Sequence, residues 1–176
     1  MNNIDASREF VPLGIALLTV SDTRTRAEDK SGDLLAQRIE GAGHVLAERR
    51  LVADSQPQIQ AQLRAWIGAA NVDVVIATGG TGVSGRDVTP EAFESVYEKS
   101  LPGFGELFRM LSYQSIGTAT LLSRTTAGVA GGTLLFALPG SRGACQDGWD
   151  NILRWQLDRR SRPCNLAEML PRLRES

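Results

Sequence analysis

Val72-Asp-Val-Val-Ile-Ala-Thr78 runs directly into Gly79-Gly-Thr-Gly82, and Arg86-Asp-Val-Thr-Pro90 follows four residues later. The first stretch is a short apolar run of β-branched residues, the pattern of a strand buried on both faces of a parallel sheet. The glycines let the chain take positive φ and approach a ligand closely. Successive N–H groups in such a turn form a nest for an anion. Thr89-Pro90 has the form of a cap and a first helical residue. Strand, glycine loop and helix in this order predict an α/β fold whose chemistry lies on the loop.

The same alternation extends in both directions. Upstream, Leu13 to Val20 is an apolar strand, and Ser31 offers a cap for a helix carrying Leu34, Leu35 and Ile39. Val45 to Val52 reads as a less buried strand. Ile59, Leu63, Trp66 and Ile67 then form a helical stripe behind Pro57. Downstream come Ala92, Phe93, Val96 and Tyr97, then a helix over Gly103 to Ser112 with Phe104, Leu107, Phe108 and Leu111 on one side. Thr133 to Leu138 is a strand after a Gly131-Gly132 hairpin turn. The last helix is capped by Ser141 and carries Cys145, Trp149, Ile152 and Leu153. The order β-α-β-α-β-α-α-β-β-α predicts a three-layer α/β/α domain with a mostly parallel central sheet. Ligands of such sheets sit beyond the carboxyl ends of the strands. Four loops follow strands there: Ser21 to Lys30, Ala53 to Gln56, Gly79 to Val88, and Pro139 to Gly140.

The 176 residues suit one domain, with residues 1–10 expected as a flexible segment and 160–176 as a C-terminal extension. The net charge of −1 argues against a nucleic-acid or anionic-membrane coat. The N-terminus has no apolar run of a signal peptide. The longest uncharged stretch, Thr125 to Ser141, is broken by glycines and Pro139 and reads as strands and turns rather than a membrane span. Cys145, Cys164 and the single His44 lack metal-ligand spacing, so reduced thiols in a cytoplasmic protein are expected.

Gly80 to Gly85 also spells G-x-G-x-x-G after a strand. A dinucleotide site needs its third glycine inside a helix and an acid ending a second strand about 20 residues on. Here Arg86 to Pro90 follows, and Ser100-Leu-Pro-Gly103 does not read as a strand, so an oxidoreductase reading is disfavoured. No G-x-x-x-x-G-K-[ST] loop is present.

Taken together, Thr19-Val-Ser-Asp22, Asp29-Lys-Ser-Gly32, Thr78-Gly-Gly-Thr-Gly82, Arg86-Asp-Val-Thr-Pro-Glu-Ala92, Pro102-Gly-Phe-Gly-Glu106, Ser123-Arg124 and Leu138-Pro-Gly-Ser141 resemble the MoaB/Mog family of molybdenum-cofactor biosynthesis proteins. The resemblance spans roughly residues 13 to 165, and the tail Gln156 to Asn165 is more similar to the MoaB branch. It implies a molybdopterin-binding fold assembled as a trimer or a dimer of trimers. It also implies adenylation of the molybdopterin phosphate with Mg-ATP, release of pyrophosphate, and transfer of the product to the protein that inserts molybdenum. By position, the resemblance assigns Asp54 and Asp87 to Mg²⁺ and ATP. Thr78, Gly79, Gly80, Thr81 and Gly82 would cradle the pterin or its phosphate. Ser21, Asp22, Ser123, Pro139, Gly140 and Ser141 would line the pocket.

Each assignment has a plainer competitor. Asp54 could cap the helix of Pro57, Asp87 could serve a turn, and Arg124 could pair with a carboxylate. A non-catalytic molybdopterin-binding or scaffold protein is the rival to the adenylyltransferase. The presence of Asp54 and of the whole Arg86 to Pro90 run favours the enzyme.

Overall fold

A computed structural model describes residues 3–175 of the chain. In chain order the elements are β1 (Asn3–Ile4), β2 (Gly14–Val20), α1 (Lys30–Gly41), β3 (Val45–Val52), α2 (Gln56–Trp66), β4 (Val74–Thr78), α3 (Thr89–Glu94), β5 (Lys99–Ser100), α4 (Pro102–Ile116), β6 (Thr126–Ala130), β7 (Thr133–Leu138), α5 (Arg142–Gly148), α6 (Arg154–Gln156), β8 (Ser161–Arg162) and α7 (Leu170–Leu173). A 3₁₀ segment, Gly117–Leu122, follows α4, and a π turn, Trp149–Leu153, joins α5 to α6.

The main sheet has the order β3-β2-β4-β7-β6-β5. Its first four strands are mutually parallel, and β6 and β5 run antiparallel at one side. The sheet is therefore mixed, with helices on both faces. Alternate residues of each strand divide the core in two. Ile15, Leu17, Val74, Ile76, Leu134 and Phe136 meet Leu35 and Ile39 of α1, Phe108 of α4 and Cys145 of α5. Ala16, Leu18, Val75, Ala77, Leu135 and Ala137 meet Ile59 and Leu63 of α2 and Phe93 of α3. This is the period-two alternation of a strand covered on both sides.

Four local expectations are corrected. Thr89 is the first residue of α3 rather than its cap, since Val88 holds the N-cap position and no side chain caps the helix. The cap of α1 is Asp29, whose Oδ1 accepts from the Gly32 N–H at 2.9 Å. Ser31 is buried inside the helix, and its hydroxyl donates to the Gly140 carbonyl at 2.9 Å. The helix expected over Gly103 to Ser112 runs on to Ile116, because nothing before Gly117 (φ +56) breaks it. Lys99 and Ser100 do form a short strand, held antiparallel against Val129 and Gly128. The Gly131-Gly132 turn closes the β6–β7 hairpin with φ of +53 and +73. Ser141 caps α5 by accepting from the Ala144 N–H.

Of the stretch 1–10, Met1 and Asn2 lie outside the described residues. Asn3 and Ile4 pair with Arg162 and Ser161 of β8. Phe10 packs on His44 at 5.1 Å between ring centroids, and the Arg160 guanidinium lies over the Phe10 ring at 4.9 Å. In the C-terminal stretch Leu170 enters the core and Arg174 pairs with Asp73.

Asp29 is fully buried. Its Oδ2 accepts from Thr19 Oγ1 at 2.6 Å and from Arg49 at 2.7 Å. Burial alone would raise this carboxyl, but Thr19, Arg49 and the Gly32 N–H hold it below the usual range. Removing one partner of a buried pair leaves the other uncompensated and costs about 3–5 kcal/mol. Asp29→Ala is therefore expected to lower stability by that amount in urea unfolding, with β3 and the start of α1 loosening together. An unchanged midpoint would remove the pair from the account.

His44, the chain's single histidine, is also buried, and its Nδ1 accepts from the Leu13 N–H at 3.2 Å. Burial pushes its pKa below 6.5, against smaller opposing effects of Asp158 and Asp73. The folded state thus binds the proton less readily than the unfolded one. Its stabilising contribution is full above the unfolded pKa and declines as pH falls below about 6.5. Unfolding free energy should drop between pH 7 and 5, and His44→Gln should flatten that slope.

Candidate functional site

The carboxyl ends of β2, β3, β4 and β7 share one edge of the sheet. Strand order reverses between β2 and β4, which opens a crevice there. Because β6 runs the other way, its amino end reaches the same edge and brings Ser123 and Arg124 with it. All the residues assigned by sequence therefore meet on this edge.

The glycine loop divides the edge in two. Gly79 and Gly80 have φ of +103 and +63, so side chains there would be strained. A Cβ on Gly79 would overlap the Val20 carbonyl, and one on Gly140 would lie 3.2 Å from Gly79 Cα. Gly82 does not have positive φ. Its constraint is Asp87, whose Oδ2 would sit 2.7 Å from an added Cβ. The Gly79 N–H donates to Leu138 and the Gly82 N–H faces the Asp87 carboxylate. Among the described residues no acceptor engages the N–H groups of Gly80 and Thr81, which leaves these two for an anion. Thr78 does not join them. Its hydroxyl is buried against the Pro139 carbonyl at 2.9 Å and Cys145 Sγ at 3.0 Å, so its role is to seat the loop.

On one side of the loop lies an acidic cleft. The Asp54 N–H donates to Asp22 Oδ1 at 3.0 Å, and Asp22 pairs in turn with Arg86. Asp54 does not cap α2. Ser55 holds that position, and the Asp54 Oδ1 is buried without a hydrogen-bond partner. Burial, then the charges of Asp22 and Asp87, push the Asp54 carboxyl above its ordinary value. Asp87 is different. Its Oδ2 accepts from the Ser84 N–H and hydroxyl at 2.9 and 2.6 Å, and these bonds lower its pKa. The turn role weighed for Asp87 is present, and its charge still reaches Asp54 across the cleft.

On the other side is a cavity of about 480 Å³, lined by Thr81, Gly82, Ser123, Pro139 and Ser141 among others. Phe108, Ile116 and Leu122 give it an apolar wall, and Asp147 lies at its rim. That size and mixture suit a small aromatic ligand with a polar end. The Ser123 hydroxyl is shared with Thr125 at 2.6 Å. Ser21 is not among the residues lining the cavity; its hydroxyl accepts from the Thr23 and Arg24 N–H groups, shaping the loop after β2. Gly140 offers its carbonyl to Ser31 and Arg24 rather than to the cavity.

Arg124 is the residue whose importance the sequence conceals. Its Nε donates to the Gly82 carbonyl at 2.7 Å and its Nη2 to the Asp87 carbonyl at 2.5 Å. Nη1 pairs with Glu91. One guanidinium thus ties the cavity wall to the glycine loop and to α3. Its partners are mainly carbonyls, which leave no trace in sequence.

No three His, Cys, Asp or Glu side chains among the described residues form a ready-made metal cage. Magnesium seldom needs one, since it takes one or two carboxylates and completes its shell with water and substrate phosphates. The unpartnered Asp54 oxygen, set among like charges, fits such an ion. So does the space in front of Gly80, where a Cβ would crowd Asp54 Oδ1 at 2.5 Å.

Comparison with known proteins identifies the family. Residues 16–159 match the MoCF_biosynth family, described as a probable molybdopterin binding domain. Molybdenum cofactor biosynthesis protein B of Escherichia coli (strain K12) is 48% identical over 159 residues, covering 90% of this chain and 94% of that one. The protein of the same name from Bacillus subtilis (strain 168) is 48% identical over 129 residues, 73% of this chain and 76% of its own. A crystal structure of Molybdenum cofactor biosynthesis protein B superposes with TM-score 0.85 at 36% identity, over 94% of this chain and 98% of that one. The tungsten cofactor synthesizing protein MoaB from Pyrococcus furiosus gives 0.77 at 33%, over 93% and 98%. The match to the domain over most of the chain, together with these relatives, places the chain in the MoCF_biosynth family, among the MoaB and Mog proteins.

Proposed function

We propose that the protein acts in molybdenum-cofactor biosynthesis as a molybdopterin adenylyltransferase. It binds molybdopterin in the cavity beside Thr81 and Gly82, with Mg-ATP in the acidic cleft. The pterin phosphate attacks the α-phosphorus of ATP, the bond to the β-phosphate oxygen breaks, and pyrophosphate leaves. The observation that carries this reading is Asp54: a buried, unpartnered carboxylate oxygen held among like charges is costly unless a cation uses it.

Adenylyl transfer asks the protein mainly for alignment and charge compensation. Asp54 and the free side of Asp87 would hold the metal, which neutralises phosphate charge when bound. The N–H groups of Gly80 and Thr81 lie between the two compartments, where they can receive a phosphate oxygen. Arg124 fixes the loop that carries them. A second reading, binding without transfer, is favoured by one observation: the Asp87 carboxylate is already engaged by Ser84. In either case the product or the bound pterin would pass to a molybdenum-inserting partner.

The surface of α4 and of the 3₁₀ segment after it supports self-association as a trimer or a dimer of trimers. Leu107, Met110, Tyr113, Ile116, Leu121 and Leu122 are all exposed. No helix among the described residues is long and apolar enough to cross a membrane. Sedimentation at micromolar concentration should give three or six subunits, and a stable monomer would remove this part of the reading.

The two acids should separate in a combined turnover and melting experiment. Asp54→Asn is expected to reduce pyrophosphate release about 10²–10³-fold while leaving molybdopterin binding intact. Asp54 has a raised folded pKa, so its stabilising contribution is lost as pH rises through that value. At neutral pH the substitution should therefore leave Tm unchanged or raise it. Asp87→Ala should lower both turnover and Tm, because it also releases Ser84. Normal turnover in Asp54→Asn, or a wild-type protein that binds molybdopterin and never forms pyrophosphate, would leave the binding protein alone.

Gly80→Ala tests the loop. The new methyl meets Thr89 Oγ1 and Asp54 Oδ1 at a positive φ. Mg-ATP affinity should fall at least tenfold in calorimetry while the fold survives. Loss of stability in step with loss of binding would mark the loop as merely structural.

A further inference from the structure

The cavity beside the glycine loop has a single charged residue in its lining, Asp147. Most hydroxyls around it are already engaged. Ser115 donates to the Ser112 carbonyl at 3.0 Å, Thr120 reaches the Arg109 carbonyl at 3.4 Å, Ser123 shares its hydroxyl with Thr125, and Ser141 accepts from the Ala144 N–H. The Asp147 carboxylate is different. It belongs to a half-buried residue, and among the described residues it has no hydrogen-bond donor and no cationic partner. Its place along the cavity is set by α5. Ser141, Ala144 and Asp147 all line the cavity and stand three apart, so they share one face of the helix. That face starts beside the glycine loop, where an added Cβ on Gly140 would lie 3.2 Å from Gly79 Cα. Asp147 lies a further six residues on, about 9 Å along the helix. The free N–H groups of Gly80 and Thr81 and the Asp147 carboxylate therefore lie toward different ends of the cavity.

We infer that Asp147 is a specificity-determining residue: it reads the ring of the bound pterin and selects against pteridines that lack the 2-amino group. This rests on the reading of the cavity as the molybdopterin site. A 2-amino-4-oxopteridine carries two donors side by side, the N3–H and an N–H of the 2-amino group. They lie at the end of the ring system remote from the phosphate. The pair resembles one edge of a guanidinium, which a carboxylate takes in two parallel, charge-assisted bonds. A carboxylate offers acceptors alone, so it matches that edge and no other. With the phosphate on the N–H groups of Gly80 and Thr81, the amino end of the ligand points along α5 toward Asp147, between the apolar walls of Phe108 and Ile116. Lumazine, the 2,4-dioxo counterpart, places a carbonyl oxygen where the pterin has its amino group. That oxygen would meet the carboxylate acceptor to acceptor. Selection then comes from a repulsive contact as well as from a lost bond.

The test uses the full-length protein and two probes, 6-hydroxymethylpterin phosphate and its lumazine counterpart, each titrated by calorimetry and in competition with molybdopterin. The wild-type protein should prefer the pterin probe about tenfold or more, the worth of a charge-assisted bond. Asp147→Asn should bring the ratio near one, because the amide oxygen still accepts from N3–H while the amide N–H meets the lumazine carbonyl. Asp147→Ser, which lacks the paired acceptors, should lose the preference by weakening the pterin probe alone. The readout is a ratio within one protein, so a general loss of fold or affinity does not imitate it. A wild-type preference that survives in both variants would overturn the inference and leave the cavity reading in place. Equal affinity of the wild-type protein for the two probes would do the same. A wild-type protein that binds neither probe nor molybdopterin would overturn the reading of the cavity itself, and this inference with it.

Discussion

The carboxylate of Asp29 is the constraint on which the architecture turns. It caps α1, takes the hydroxyl of Thr19 near the end of β2, and takes the guanidinium of Arg49 on β3. Three consecutive elements are thereby fixed by one buried group. The fit is close enough that a Cβ on Gly32 would overlap Asp29 Oδ2 and crowd Arg49 at 2.5 Å. The loop between Val20 and Asp29 must then leave the sheet in one direction. That places Ser21 and Asp22 beside the glycine loop and hands the Asp54 N–H to Asp22.

A second consequence of the topology is the division of labour across Gly79 to Gly82. The acidic cleft is built from the loops after β2, β3 and β4. The cavity is built from β7, α4 and the approach to β6. A loop of four small residues is all that separates them, so two anions can be brought close from opposite sides while their counter-charges remain apart. The reversed strand β6 supplies the brace. Arg124 reaches the edge only because its strand begins there, where every parallel neighbour ends.

Much of this was legible in the residues, and the failures have physical reasons. β2, β4 and β7 announced themselves as short apolar runs, and the Ser141 cap and the Gly131-Gly132 hairpin as local chemistry. The choice of Asp29 over Ser31 as cap was not local. Both residue types cap helices, and only the partners Thr19 and Arg49, 10 and 20 residues away, decide between them. Strand parity puts Thr78 on the same face as Val74 and Ile76, toward Cys145 of α5, so the seating of its hydroxyl under the loop can be read from the alternation alone. The surroundings of Asp54 were not legible, since they come from three loops and from a hydroxyl on α3. The pairing of Arg124 with carbonyls could not be read at all.

Arg49 has one more effect. It belongs to β3, the outermost strand on its side of the sheet, eight residues long and flanked by Glu48 and Arg50. A bare strand edge of that length offers its unpaired N–H and C=O groups to any other chain in the crowded cell, and is a seed for aggregation. Here the middle of the edge carries three adjacent charges, and the central one turns inward to Asp29. A foreign strand adding at that point would have to desolvate the neighbouring charges and disturb a buried ion pair. The group that orders the fold therefore also guards its open border.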